Sequence, residues 1–140
     1  MARTRRRTQD PPPQRLILDS GAVIALSRND QRARATLAAA WEAAVEVSIP
    51  SLVVAETVRG SAKDAPVNRV IKAVGEVRPA DEGTGRVAGG LLGAARSNST
   101  VDAVVVASAI ELGGGVVLTG DPDDLEALAN GHPEVVVRTL

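Results

Sequence analysis

Apolar positions along the chain fall into two kinds of run. Leu16-Ile17-Leu18 and Val116-Val117-Leu118 are short and continuous, as strands buried on both faces are. Glu46-Val-Ser-Ile-Pro50 alternates and stops at proline, which predicts a third strand, and residues 76–80 and 134–138 read as two more. Helical spacing fills the intervals. Asp19-Ser20-Gly21 forms a capping turn ahead of a helix over 22–26. Asn29 and Asp30 open a second helix running to about Val45, with Leu37, Ala40, Trp41 and Ala44 on one face and Trp41 assigned to the core. Ser51 caps a helix over 52–59 that Gly60 ends, and 66–75 carries Val67, Val70, Ile71 and Val74 at 3–4 spacing. Residues 82–96 follow a helical pattern, although Gly89, Gly90 and Gly93 each cost about 1 kcal/mol against alanine. They imply either close backbone packing or a mobile wall. The polar stretch 97–100 caps an apolar helix over 101–112, and Pro122 starts the last helix, which runs to Ala129. Strands and helices alternate with no internal repeat, so the expected fold is α/β, a mostly parallel sheet of about four to five strands flanked by helices.

A chain of 140 residues with 44% apolar and 24% charged positions is long enough to bury one sizeable core. No apolar run approaches the ~18 residues that a membrane span needs, and the basic start leads into prolines instead of a secretory apolar segment. The absence of cysteine excludes disulfides and thiolate metal sites, and fits a cytoplasmic protein. Residues 1–14 join Arg3, Arg5, Arg6 and Arg7 to Pro11-Pro12-Pro13 and read as a disordered basic arm, either a phosphate-binding extension or a solvated tail. The remainder, expected to be one domain over 15–140, is acidic, since residues 16–140 hold sixteen Asp/Glu against eleven Lys/Arg. A generic basic nucleic-acid binder has the opposite balance. If this part meets nucleic acid, something must neutralise its acids, and a metal ion could.

The acids interrupt apolar stretches at four places. Asp19 and Asp121 each follow a buried-type strand, at the sheet edge where α/β proteins bind ligands. Glu56 lies within Leu52–Val58 and Asp102 within Val101–Val106, both read as near the start of a helix and facing a cleft. Each acid alone could be a cap or a surface charge. Four in matching contexts can converge, and converging carboxylates repel unless a cation joins them. Hard carboxylate oxygens favour Mg²⁺ or Mn²⁺, which suit phosphodiester hydrolysis.

At this point the residues resemble a family. Leu18-Asp19-Ser20-Gly21 with Ala25-Leu26, Glu56 in Val53–Gly60, Asp102 in Thr100–Ser108, and Thr119-Gly-Asp121-Pro-Asp-Asp124-Leu125 are similar, in order and spacing, to the PIN domain, and most closely to VapC-type toxins of toxin–antitoxin pairs. The resemblance covers residues 15–140 and implies a PIN-like three-layer fold and a Mg²⁺- or Mn²⁺-dependent endoribonuclease. Asp19, Glu56, Asp102 and Asp121 would form the metal-binding and catalytic set, Asp124 an accessory acid, and Ser20 and Thr119 polar supports. It also implies an RNA substrate, a VapB-type antitoxin and a homodimer formed through helices. Leu125 stands where family members often carry an aromatic residue. The competing reading is a non-catalytic module whose acidic pocket docks a basic residue of a partner.

Other chemistries find little support. His132 is the only histidine, in a Gly-His-Pro turn read as structural, so Ser-His-Asp and two-histidine mechanisms are incomplete. A receiver domain needs a late lysine, and the last here is Lys72. With no Phe or Tyr there is no base-stacking platform, which leaves phosphate contacts to arginines such as Arg28, Arg32, Arg59, Arg86 or Arg96. The run Gly113-Gly114-Gly115 lacks a Walker lysine and is a turn.

Overall fold

The structure is a computed structural model and describes residues 15–140; the basic, proline-rich arm lies outside the described residues. Five strands, β1 (Arg15–Leu18), β2 (Glu46–Pro50), β3 (Val77–Arg78), β4 (Gly115–Thr119) and β5 (Val135–Thr139), form one parallel sheet in the order β3-β2-β1-β4-β5. Around it, among the described residues, are seven α-helices: α1 (Ser20–Ser27), α2 (Gln31–Glu42), α3 (Ser51–Thr57), α4 (Ala65–Val74), α5 (Glu82–Ala95), α6 (Thr100–Glu111) and α7 (Pro122–Leu128). The α/β expectation holds.

The strand order fixes where a site can form. The chain steps outward from β1 to β2 and β3, then returns to place β4 on the other side of β1. Between β1 and β4 the direction of winding reverses, and loops leaving their carboxyl ends diverge to open a crevice. The central residues of both strands, Leu16–Leu18 and Val116–Leu118, are apolar because both faces are covered; Leu18, Val117 and Leu118 are wholly buried. α6 supplies one cover. Its residues 103–109 are all buried, as a helix apolar on every side must be, and it touches β1, β2, β4 and β5 while α5 and α7 pack on it. Gly21 permits the closest approach at the crevice, since a Cβ there would meet the Gly120 amide nitrogen at 3.0 Å. The turns after β1 and β4 therefore abut, and they carry Asp19 and Asp121.

Several local expectations need correction. Trp41 is not in the core but 47% exposed, because Ala33 and Leu37 carry the inward stripe of α2 and Trp41 falls on its flank. α2 also ends at Glu42, and Ala44 turns left-handed at φ 57°. Ser51 does not cap α3; it is the helix's first residue, and Pro50 at the N-cap offers no side-chain bond. α3 stops at Thr57, where Val58 becomes extended. The third strand shrinks to Val77–Arg78. Around a Cβ added to Gly89, Gly90 or Gly93 there is open space, so close packing is not their reason.

Candidate active site

Asp19 leaves β1 as the N-cap of α1, its Oδ1 accepting the Ala22 amide at 2.9 Å. It is only 6% exposed. Burial raises its pKa, and the nearby Glu56 charge adds to that; hydrogen bonds from the Thr119 hydroxyl and the Ala22 and Gly21 amides oppose it. Thr119, the fully buried last residue of β4, thus faces two ways. Its hydroxyl supports Asp19 and accepts the Asp121 amide N–H at 2.9 Å, tying the two strand-end acids together.

Ser20, in the first turn of α1, donates its hydroxyl proton to Glu56 Oε1. The contact spans α1 and α3 and sets the direction of the Glu56 side chain. Contrary to expectation, Glu56 is solvent-exposed and lies in the last turn of α3, because that helix is only seven residues long. The helix dipole therefore disfavours its charge instead of supporting it. Asp102 does lie in the first turn of α6, half-buried. Its pKa is pushed up to about 6, first by burial and then by the charges of Asp19, Asp124, Glu56 and Asp121. The expected acids, the accessory one included, therefore share one electrostatic field, although Asp121 and Asp124 sit at its exposed margin.

A shared field is not yet a closed coordination shell. Among the described residues no three acidic or histidine side chains are arranged to hold one ion as they stand. The donor chemistry nevertheless suits a hard divalent cation. All the donors are carboxylates, and Asp102 resists ionisation because of its burial and the negative charges of its neighbours.

The remaining candidates separate on their contacts. Arg86 is bound to Glu82 at 2.7 Å and Arg59 Nη1 caps the Ala55 and Val58 carbonyls, whereas Arg28 and Arg32 are exposed. Arg96 closes α5 in the left-handed conformation at φ 53°. His132 holds its turn, its amide donating to the Ala129 carbonyl at 2.9 Å, while Nδ1 stands 3.5 Å from Glu134. Leu125 is fully buried. Two buried polar features escaped the sequence reading. Asp64 gathers the amides of Arg59, Gly60 and Ser61 at 2.7–3.1 Å, and the Thr84 hydroxyl reaches Glu111 at 2.6 Å to link α5 to α6. The Ser61-x-x-Asp64 capping box was the available signal for the first.

The parallel sheet, its strand order and its flanking helices define a fold class, and the family comparison agrees. The PIN-domain model matches residues 16–131, and the chain belongs to the PIN-domain family. A search of curated protein sequences finds no match. Among solved structures, VapBC2 from Rickettsia felis bound to a DNA fragment from its promoter aligns with TM-score 0.69 at 12% identity, covering 89% of this chain and 98% of that one. A toxin–antitoxin complex from Klebsiella pneumoniae aligns at 0.65 and 19% identity, over 86% and 95% of the two chains. DNA-bound VapBC from Salmonella typhimurium gives 0.63 and 17%, over 90% and 98%. At such identities the likeness is one of fold.

Proposed function

We propose that the chain is a VapC-type toxin, an endoribonuclease that cleaves RNA phosphodiester bonds with Mg²⁺ or Mn²⁺ and is neutralised by a VapB-type antitoxin. The observation that carries this reading is the field at Asp102. The carboxyl pKa of half-buried Asp102 is raised to about 6 by burial and by four acids from three other segments, at the carboxyl ends of the central strands. PIN domains are generally nucleases, and the structures similar in fold include toxin–antitoxin and VapBC complexes, which supports an antitoxin partner here.

In this reading Asp19, Glu56, Asp102 and Asp121 hold the cation, with Asp124 at the outer rim. When bound, the ion supplies Lewis acidity toward the scissile phosphate and the attacking water. The chain's own residues do the positioning. Thr119 orients Asp19, Ser20 orients Glu56, and an ionised carboxylate of the set takes the proton of a water aligned with the leaving oxygen. Exposed Arg28 and Arg32 offer phosphate contacts to an otherwise acidic surface. The protein is proposed to act in the cytoplasm, as a homodimer when free of antitoxin.

One observation favours a second reading, a pocket that docks a basic residue without turnover: no three described acids already share an ion position, and an arginine needs only a pair of carboxylate oxygens. Incubation of total RNA with the antitoxin-free protein separates the two. Discrete fragments that require Mg²⁺ or Mn²⁺, stop with EDTA and vanish in Asp19→Asn are expected; intact RNA from folded protein under every metal condition overturns the nuclease reading.

A further inference from the structure

The open edge of the sheet carries a pattern that is complementary to itself. Among the described residues β5 pairs on one side only, with β4, in the register Val116 to Val136 and Leu118 to Arg138. The Glu134 carbonyl accepts from the Gly115 amide at 3.0 Å, and the Leu140 amide donates to the Thr119 carbonyl at 2.9 Å. Even-numbered residues of this stretch therefore turn their backbone groups toward β4, and Val135, Val137 and Thr139 turn theirs to the free edge. The Val135 N–H is already held by the His132 carbonyl at 3.0 Å, but the Val137 N–H and the Val135 C=O face outward.

Side chains on this edge follow suit. Val136 is 44% exposed, and Glu134 and Arg138 lie two residues to either side of it on the same face. We infer that β5 pairs with β5 of a second copy of this chain, antiparallel and with its two-fold axis at Val136. That register sets Glu134 opposite the second copy's Arg138 twice over, and Val136 opposite itself. Its parity is also right, because Val135 and Val137 become the hydrogen-bonded pairs and the Val137 N–H donates to the second copy's Val135 C=O. A shift of one residue would face inward-bonded groups instead and lose the charge match. Charges on an edge strand ordinarily discourage pairing; here their opposite signs at equal distance from the centre select one antiparallel partner.

The surroundings extend the contact beyond five residues of strand. On the same sheet face, an open groove of about 440 Å³ between α2 and β4 is lined by Leu16, Ala39, Ala43 and Val116, with Arg138 at its rim. It adds apolar area next to Val136 that a two-stranded junction alone would lack. The opposite edge cannot serve in this way, since β3 is two residues long. This contact is distinct from the helix-mediated dimer that the family resemblance implies, and it does not depend on nuclease activity.

The absence of cysteine makes the test direct. In the full chain, Val136→Cys places one thiol on the two-fold axis, where an antiparallel non-hydrogen-bonded pair stands about 4.5 Å apart between Cα atoms, within disulfide reach. Val77→Cys, at 39% exposure on the other edge, is the control for random collision. With diamide as oxidant at micromolar protein, Val136→Cys should form covalent dimer at least about tenfold faster than Val77→Cys. Adding Glu134→Arg to Val136→Cys sets like charges across the junction and should slow that step about tenfold. The further change Arg138→Glu swaps the pair and should restore it. Equal rates for the two thiols, or no rescue by the swap in variants shown by circular dichroism to be folded, would overturn the proposal.

Discussion

Asp102→Asn should stabilise the protein while abolishing cleavage. With its pKa raised from 3.8 to about 6, Asp102 is harder to ionise in the folded state than in the unfolded chain. Carried in full, that difference is worth ~3 kcal/mol. Asp102 is only half-buried, and solvent screening brings this to roughly 1–2 kcal/mol. Its place in the first turn of α6 works the other way, because an anion there gains about 0.5 kcal/mol from the helix end. The net expectation is a gain of about 1 kcal/mol at pH 7.5, which is ~3 °C in Tm for a chain of this size. The sign follows from proton binding. Between 3.8 and about 6 the folded state holds a proton that the unfolded chain has lost, so wild-type stability falls as pH rises through that window. The advantage of the variant is thus full above pH 6 and shrinks to roughly a third at pH 4.5. Urea unfolding in EDTA at the two pH values reads both quantities. A variant no more stable at pH 7.5, or a gain independent of pH, would refute the argument that repulsion and burial dominate at this position.

Asp19 separates capping from charge. Asp19→Asn keeps an acceptor for the Ala22 amide and should unfold within a few degrees of wild type with cleavage lost, whereas Asp19→Ala also gives up the cap and should cost about 1 kcal/mol in urea titration. Asp64→Asn should lower stability at pH 7. The three amides hold the Asp64 pKa below its ordinary value, so that contribution is present above pH 3.8 and lost as pH falls through the folded value; the difference from wild type should narrow in acid. Thr119→Val removes a buried hydroxyl that supports Asp19 and the Asp121 amide, and should cost ~1–3 kcal/mol and lower the cleavage rate, read by urea unfolding and RNA gel assay.

What could be read from the sequence followed its strongest periodicities. β1 and β4 announced themselves as continuous apolar runs, and the acid after each fell where a parallel sheet opens its crevice. Asp102 was legible because a carboxylate inside an otherwise apolar helix must face something other than core. Glu56 illustrates the limit. Its neighbours suggested a cleft-facing residue near a helix start, but the chain turns extended at Val58, which puts Glu56 in the final turn, exposed and oriented by Ser20. Trp41 misled for a related reason, since hydrophobicity does not say which side of a narrow alanine stripe meets the sheet. The complementarity of β5 needed the sheet order, which left that strand on an edge.

If these carboxylates act as one cation site, calorimetric titration of the antitoxin-free protein with Mn²⁺ will show it. Binding should strengthen as pH rises through about 6, because Asp102 must give up its proton to take part, and should weaken at least tenfold in Asp102→Asn and in Asp19→Asn. Affinity that is absent, or that is indifferent to pH and to both substitutions, would contradict it.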